Sequence, residues 1–216
     1  MKNRIILLSL FCATFFISCD QKSNKVTVEG CGEEKTLVVD DAYNQKYGLD
    51  PLHFTISYYS DVPHELPEEG KGYGTYAKFV KRDGDKIVEQ VRLNSWSATG
   101  MNVDNKDKMM QSILSNSTSV LEFNYKIEDI QESKQSMAGK EFWVADATAM
   151  EKSDAESGNP SKYLMRVTIM APSDTASTGL SVVQIAGPDS NVKTHDDFYS
   201  KACTALVVSS IDFTIQ

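Results

Sequence analysis

Three histidines, four cysteines, plentiful serine and 30 acidic residues are the side chains of this chain that could do chemistry. A metal centre needs His, Cys or carboxylate ligands at short, fixed spacings. No His-Glu-x-x-His and no Cys-x-x-Cys occurs. His53 opens a strand pattern, His64 lies in a Pro-bounded loop, and His195 precedes Asp196-Asp197 at a helix start. Each reads as a surface or capping residue. A serine nucleophile needs an elbow or a spaced base, but no Gly-x-Ser-x-Gly exists, and Ser133-Lys134 and Ser161-Lys162 are adjacent pairs. Cys203 with His195 would need an orienting Asn or Asp and an exposed thiolate, whereas Cys203 reads as buried. Asp104, Asp107, Glu151, Asp154 and Glu156 are raw material for a Ca²⁺ site. Yet Asp104-Asn105-Lys106-Asp107-Lys108 lacks the alternating ligands and central Gly of a calcium loop. No metal is expected, and no residue takes a catalytic role.

The cysteine with a definable role is Cys19. Lys2 and Arg4 precede an apolar run from Ile5 to Ile17, too short to span a bilayer, and Asp20 to Asn24 is polar. Phe16-Ile17-Ser18-Cys19 resembles a lipobox, with Phe where Leu is usual. A small-residue A-x-A-type cleavage site is missing before residue 30. The resemblance implies a signal peptide over residues 1–18 and a diacylglycerol thioether on Cys19. That lipid is the only attached group expected, with no other cofactor. Because each buried methylene contributes about 0.8 kcal/mol, two or three acyl chains anchor firmly. The expected address is extracytoplasmic, lipid-anchored to a bacterial membrane. Residues 19–34, rich in Gln, Lys, Ser, Asn and Glu, read as the lipidated end and flexible tether. Residues 35–216 are expected as one domain, long enough for a single core.

Cys12 leaves with the signal, so Cys31 and Cys203 remain as an even pair in a compartment where disulfides persist. Two readings stay open. The pair forms a bridge, or Cys203, at helical spacing with Tyr199 and Leu206, is a small core residue. With 22 basic against 30 acidic residues the net charge is −8. That balance disfavours nucleic acid, whose phosphates call for Lys and Arg. It also offers no polybasic patch for anionic lipid, so the membrane is reached through the acyl chains.

Alternation marks the strands. His53–Tyr59 puts Phe54, Ile56 and Tyr58 on one face, and Thr75–Lys81 and Lys86–Trp96 flank the hairpin signal Asp83-Gly84. Asp104–Ser117 breaks the pattern: Met109, Met110, Ile113 and Leu114 fall at helical spacing behind Asp104 as N-cap. Tyr125–Ser133, Lys140–Thr148, Lys162–Ala171 and Thr178–Ala186 resume as strands. Thr194 or Asp196 then caps a C-terminal helix to about Val208, with Phe198, Ala202, Ala205 and Leu206 as its apolar stripe. Hairpin-like connections imply an antiparallel sheet, and strands apolar on both faces imply helices covering it. The fold class is α+β, an antiparallel sheet flanked by helices.

The layout resembles the PsbP-like fold, shared by the extrinsic photosystem II protein and a Ran-binding nuclear import factor. Three segments carry the likeness to its bacterial lipoprotein members: Phe54-Thr55-Ile56-Ser57-Tyr58, Gly139-Lys140-Glu141-Phe142-Trp143 and Ser210-Ile211-Asp212-Phe213. The resemblance implies an α/β sandwich and a docking or assembly role, and its motifs carry no catalytic residue. The expected function is therefore a non-enzymatic binding or assembly-accessory module of the cell envelope, with an envelope protein or small ligand as partner. The alternative is an extracytoplasmic hydrolase whose carboxylate site assembles only in three dimensions. Trp96 falls on the polar side of its strand beside Arg92 and Asn94. If helices leave that face open, these three form a recognition patch. Asp174-Thr175-Ala176 resembles an acceptor for periplasmic O-glycosylation at Thr175.

Overall fold

The computed structural model describes residues 26–99, 105–137, 140–152 and 161–213. Among these residues nine strands form: β1 (Glu34–Val39), β2 (Phe54–Tyr59), β3 (His64–Glu65), β4 (Thr75–Asp83), β5 (Lys86–Ser97), β6 (Tyr125–Met137), β7 (Lys140–Glu151), β8 (Lys162–Met170) and β9 (Thr178–Ala186). Helices α1 (Asp41–Tyr47), α2 (Lys106–Leu121) and α3 (Ala205–Ser209) join them, with a 3₁₀ turn at His195–Tyr199. Strands β3-β4-β5-β9-β8-β7-β6 make a seven-stranded antiparallel sheet, while β1 and β2 form a separate pair.

The sheet is covered on both faces because its central strands are apolar on both. On one side Phe54 and Ile56 of β2 and Leu206 and Val207 of α3 pack against Phe79, Val91, Leu93 and Val182. On the other, Met109, Met110, Ile113 and Leu114 of α2 rest on Met165, Val167, Ile169 and the alanines 145, 147 and 149 of β7. Three small side chains in a row let the helix approach the sheet closely. The β4–β5 hairpin turns at Gly84, whose φ of +57° is the left-handed conformation that Asp83-Gly84 predicts.

Three boundaries differ from expectation. Helix α2 is capped by Asn105, whose side chain accepts from the Lys108 amide, and runs on to Leu121; Asp104 lies outside the described residues. The expected tether to residue 34 is docked from Val26 onward. Val26 and Val28 pack against a cluster of Ala186, Val192 and Phe198, and the Val28 amide donates to the Tyr59 hydroxyl at 3.0 Å. Cys31 is 2% exposed and bonded to Cys203. The domain therefore includes residues 26–34.

The single C-terminal helix is instead a 3₁₀ turn and a short α-helix. The Asp197 carboxylate accepts the amides of Lys193 and Thr194 at 2.9 and 3.0 Å. The Lys201 ammonium and these amides hold its pKa down at about 2. Further on, buried Glu89 takes the Thr204 amide at 3.2 Å and the Ser190 hydroxyl at 3.1 Å, while Cys203 is bonded to Cys31. These attachments pull the chain onto the sheet at Cys203–Thr204 and interrupt the helix. Phe198, Ala202, Ala205 and Leu206 are all buried, so the apolar spacing belongs to a bent segment.

Candidate functional site

Alternation along β5 places Gln90, Arg92, Asn94 and Trp96 on the face that carries α2, opposite Ile185, Val183, Ser181 and Gly179 of β9. Helix α2 covers β7, β8 and the Trp96 end, then stops at Leu121 in a turn over residues 122–124. Beyond that turn a half-open groove of about 430 Å³ remains between the helix end and β4–β5. Leu121, Val183 and Ile185 give it apolar walls; Arg92, Lys152 and Lys78 supply positive charge, against Glu151.

The cations are not equivalent. Lys78 is engaged by Glu65 at 3.0 Å. The side chains of Arg92 and Lys152 have no hydrogen-bond or ion-pair partner among the described residues; only the Lys152 main-chain amide is engaged, by the Asn124 carbonyl at 3.0 Å. Burial raises the Tyr125 phenol pKa, Glu151 adds to the rise and Arg92 opposes it, so the phenol stays protonated near neutrality. At the rim Phe123 is 80% exposed, and Val120, three residues earlier, is 63% exposed. Phe123 lines the groove beside the cations, and Val120 lies on the last turn of α2 just before it.

The expected patch of Arg92, Asn94 and Trp96 does share one face, but it is not an open surface. Trp96 is only 6% exposed; its indole N–H donates to the Met170 carbonyl at 3.0 Å and the ring lies beneath α2. Asn94 accepts from the Thr75 hydroxyl at 2.9 Å. Of the three, Arg92 lines the groove, with no acceptor for its donors among the described residues. Phe123, Tyr125 and Lys152 were not legible as a site because they come from the α2–β6 turn, the start of β6 and the residue after β7. The one local signal was an aromatic residue just past the end of the helical stripe.

The other singled-out residues fall elsewhere. Cys19 lies outside the described residues. Thr175 is exposed in the loop between β8 and β9. His53 contacts Asp41 at 2.8 Å, His195 lies 3.0 Å from the Ala147 carbonyl, and His64 sits against Tyr58 and Phe79. Among the described residues no three His, Cys, Asp or Glu side chains gather as a metal site; Asp104, Asp154 and Glu156 are outside them. A second groove of about 480 Å³ contains Asp107, Glu141 and Asp174, but Lys134 pairs with the first two and Lys106 with the third. Among the described residues the carboxylates whose pKa moves are Glu65, Glu128, Asp174 and Asp197. All move down, each led by a hydrogen bond from a lysine. A general acid needs the opposite shift. No described helix is long and apolar enough to cross a membrane.

No protein-family model and no curated protein matches the chain. Among solved structures it is similar to cyanobacterial PsbP (CyanoP) from Synechocystis sp. PCC 6803, at 11% identity and a TM-score of 0.42, over 87% of this chain and 97% of that one. It is also similar to the Ran-binding protein Mog1p of Saccharomyces cerevisiae, at 12% identity and 0.44, over 84% and 96%. A mutant of Mog1 gives 13% identity and 0.43, over 83% and 96%.

Proposed function

We propose that this protein is a lipid-anchored, extracytoplasmic binding or assembly-accessory module of the cell envelope, and that the groove between the end of α2 and β4–β5 is its binding surface. The carrying observation is the Arg92 guanidinium, without a hydrogen-bond or ion-pair partner among the described residues, beside the exposed Phe123 at the groove rim and Val120 before it. A guanidinium with unused donors next to uncovered apolar surface is suited to bind and poorly suited to catalyse. The anchor rests on the sequence around Cys19, with residues 19–25 linking it to the docked segment that begins at Val26.

Two measurements on the full chain expressed in bacteria test the proposal. Metabolic labelling with a fatty-acid analogue should mark the wild type and not Cys19→Ala, and the variant should leave the membrane fraction. Formaldehyde crosslinking in intact cells, followed by mass spectrometry, should yield a discrete adduct. An unlabelled wild type ends the anchoring claim; a chain with no adduct ends the binding claim.

A further inference from the structure

The charge and shape of the groove specify what it holds. The chain as a whole is acidic, with a net charge of −8. Yet Arg92, Lys152 and Lys78 converge on one depression containing Glu151. Lys78 is partly neutralised by Glu65, leaving Arg92 and Lys152 as donors without acceptors among the described residues. Arg92 is half-buried against Val183, its neighbour across the β5–β9 ladder, so its guanidinium is partly shielded from water. A planar fork of donors in such a setting matches a carboxylate, with two parallel hydrogen bonds. The Tyr125 phenol, kept protonated by burial, is a further donor in the same wall.

The apolar surface sets the size of the occupant. A small anion would fill part of the 430 Å³ groove and leave Phe123 and Val120 in water. Both side chains lie at the rim or beyond it, on the helix end and the turn that follows. Covering them requires a ligand that enters the groove and continues over its edge. Aromatic anchors bordered by charge are typical of surfaces that hold protein segments.

We infer that the groove docks a polypeptide segment of a partner protein, in which an Asp or Glu meets Arg92 and Lys152 while flanking apolar side chains cover Phe123 and Val120. This rests on the binding-module reading above and names the class of partner.

The test selects from random dodecapeptides displayed on phage, using the full chain as bait in detergent, and then measures the enriched peptides as synthetic ligands. The expected consensus contains Asp or Glu beside Leu, Ile or Phe. Affinity should fall at least about tenfold when that acid becomes Asn or Gln, or when the bait carries Arg92→Glu. It should also fall with Phe123→Ser and with rising salt. Lys152→Glu, at an exposed position, serves as the second charge variant. Consensus peptides without an acid, peptides indifferent to both charge variants, or no enrichment would overturn the proposal. So would acetate or inorganic phosphate that binds as tightly alone. A dimer of the chain abolished by Arg92→Glu would assign the groove to a second copy, also against it. If the peptides fail while a discrete adduct still forms in cells, the binding-module reading stands and the acidic-segment class falls; if both fail, both readings fall.

Discussion

Cys31 and Cys203 are joined across 172 residues of sequence, with their Cα atoms 5.5 Å apart. The bond ties the segment before β1 to the segment before α3, and both lie against the same core as β2. A cross-link closing so long a loop removes conformational freedom from the unfolded chain. In the chain-entropy model its worth is on the order of 4–5 kcal/mol. Cys31→Ser/Cys203→Ser should lose much of that in reversible urea unfolding, and reductant should lower the midpoint of the wild type and not of the variant. A loss below about 1 kcal/mol would mean that packing alone holds the two segments.

Arg166 and Asp146 pair within the sheet, with the guanidinium buried and the carboxylate 17% exposed. The guanidinium is 1% exposed, bonds Asp146 through Nε at 2.6 Å and Nη2 at 2.7 Å, and lies 4.6 Å from the Tyr199 ring. Removing Asp146 leaves the buried guanidinium with the exposed Asp196 carboxylate, 4.0 Å away, as its charged partner among the described residues. Asp146→Ala should cost about 3–5 kcal/mol, whereas Asp146→Ala with Arg166→Met should recover most of it. Denaturant titrations of the two variants check this. Equal losses would show that the pair is held by contacts other than its charge.

His64 gives a pH dependence with a definite sign. Burial, and then the Lys35 ammonium, hold its pKa below the ordinary 6.5. Below that value the unfolded chain takes up the proton before the folded one, so protonation favours unfolding. Stability should fall as the pH drops through 6.5 toward the depressed folded value. His64→Phe keeps the aromatic contacts with Tyr58 and Phe79 and should flatten that part of the profile. Thermal melts between pH 7.5 and 5 compare the two, and parallel profiles would contradict the assignment.

Trp96 and Gly179 fit each other across β5 and β9. A Cβ on Gly179 would lie 2.7 Å from the indole ring and would also press on the Met170 carbonyl. Gly179→Ala should therefore cost roughly 1–3 kcal/mol by overpacking. Trp96→Phe should cost about 1 kcal/mol through the lost Met170 hydrogen bond. An Ala variant as stable as the wild type would show that the indole has room to shift.

The strands were legible because their periodicity is local: Phe54, Ile56 and Tyr58 alternate, and Asp83-Gly84 marks its own turn. Helix α2 was legible from Met109 to Leu114. The bend before α3 was not, because its cause is distant: Glu89 on β5 and Cys31 near the start of the domain hold Thr204 and Cys203. The same limit applied to the groove. Arg92 could be singled out on its strand, but its exposure depended on where α2 ended. Trp96, four residues further along the same face, lies under that helix. Phe123 and Lys152 join Arg92 through tertiary structure, which a strand-by-strand pattern does not carry.

On the proposed function, the end of α2 and the Arg92 guanidinium beside it, unpaired among the described residues, form the surface through which this protein meets its partner. A photoreactive amino acid replacing Phe123 in the full chain, illuminated in living cells, tests it most directly. Val38, 46% exposed on β1 across the sheet, is the control position. One adduct of defined mass is expected from position 123, lost when Arg92→Glu is added, and none from position 38. Adducts of equal yield from both positions, or one from position 123 that persists with Arg92→Glu, would contradict it.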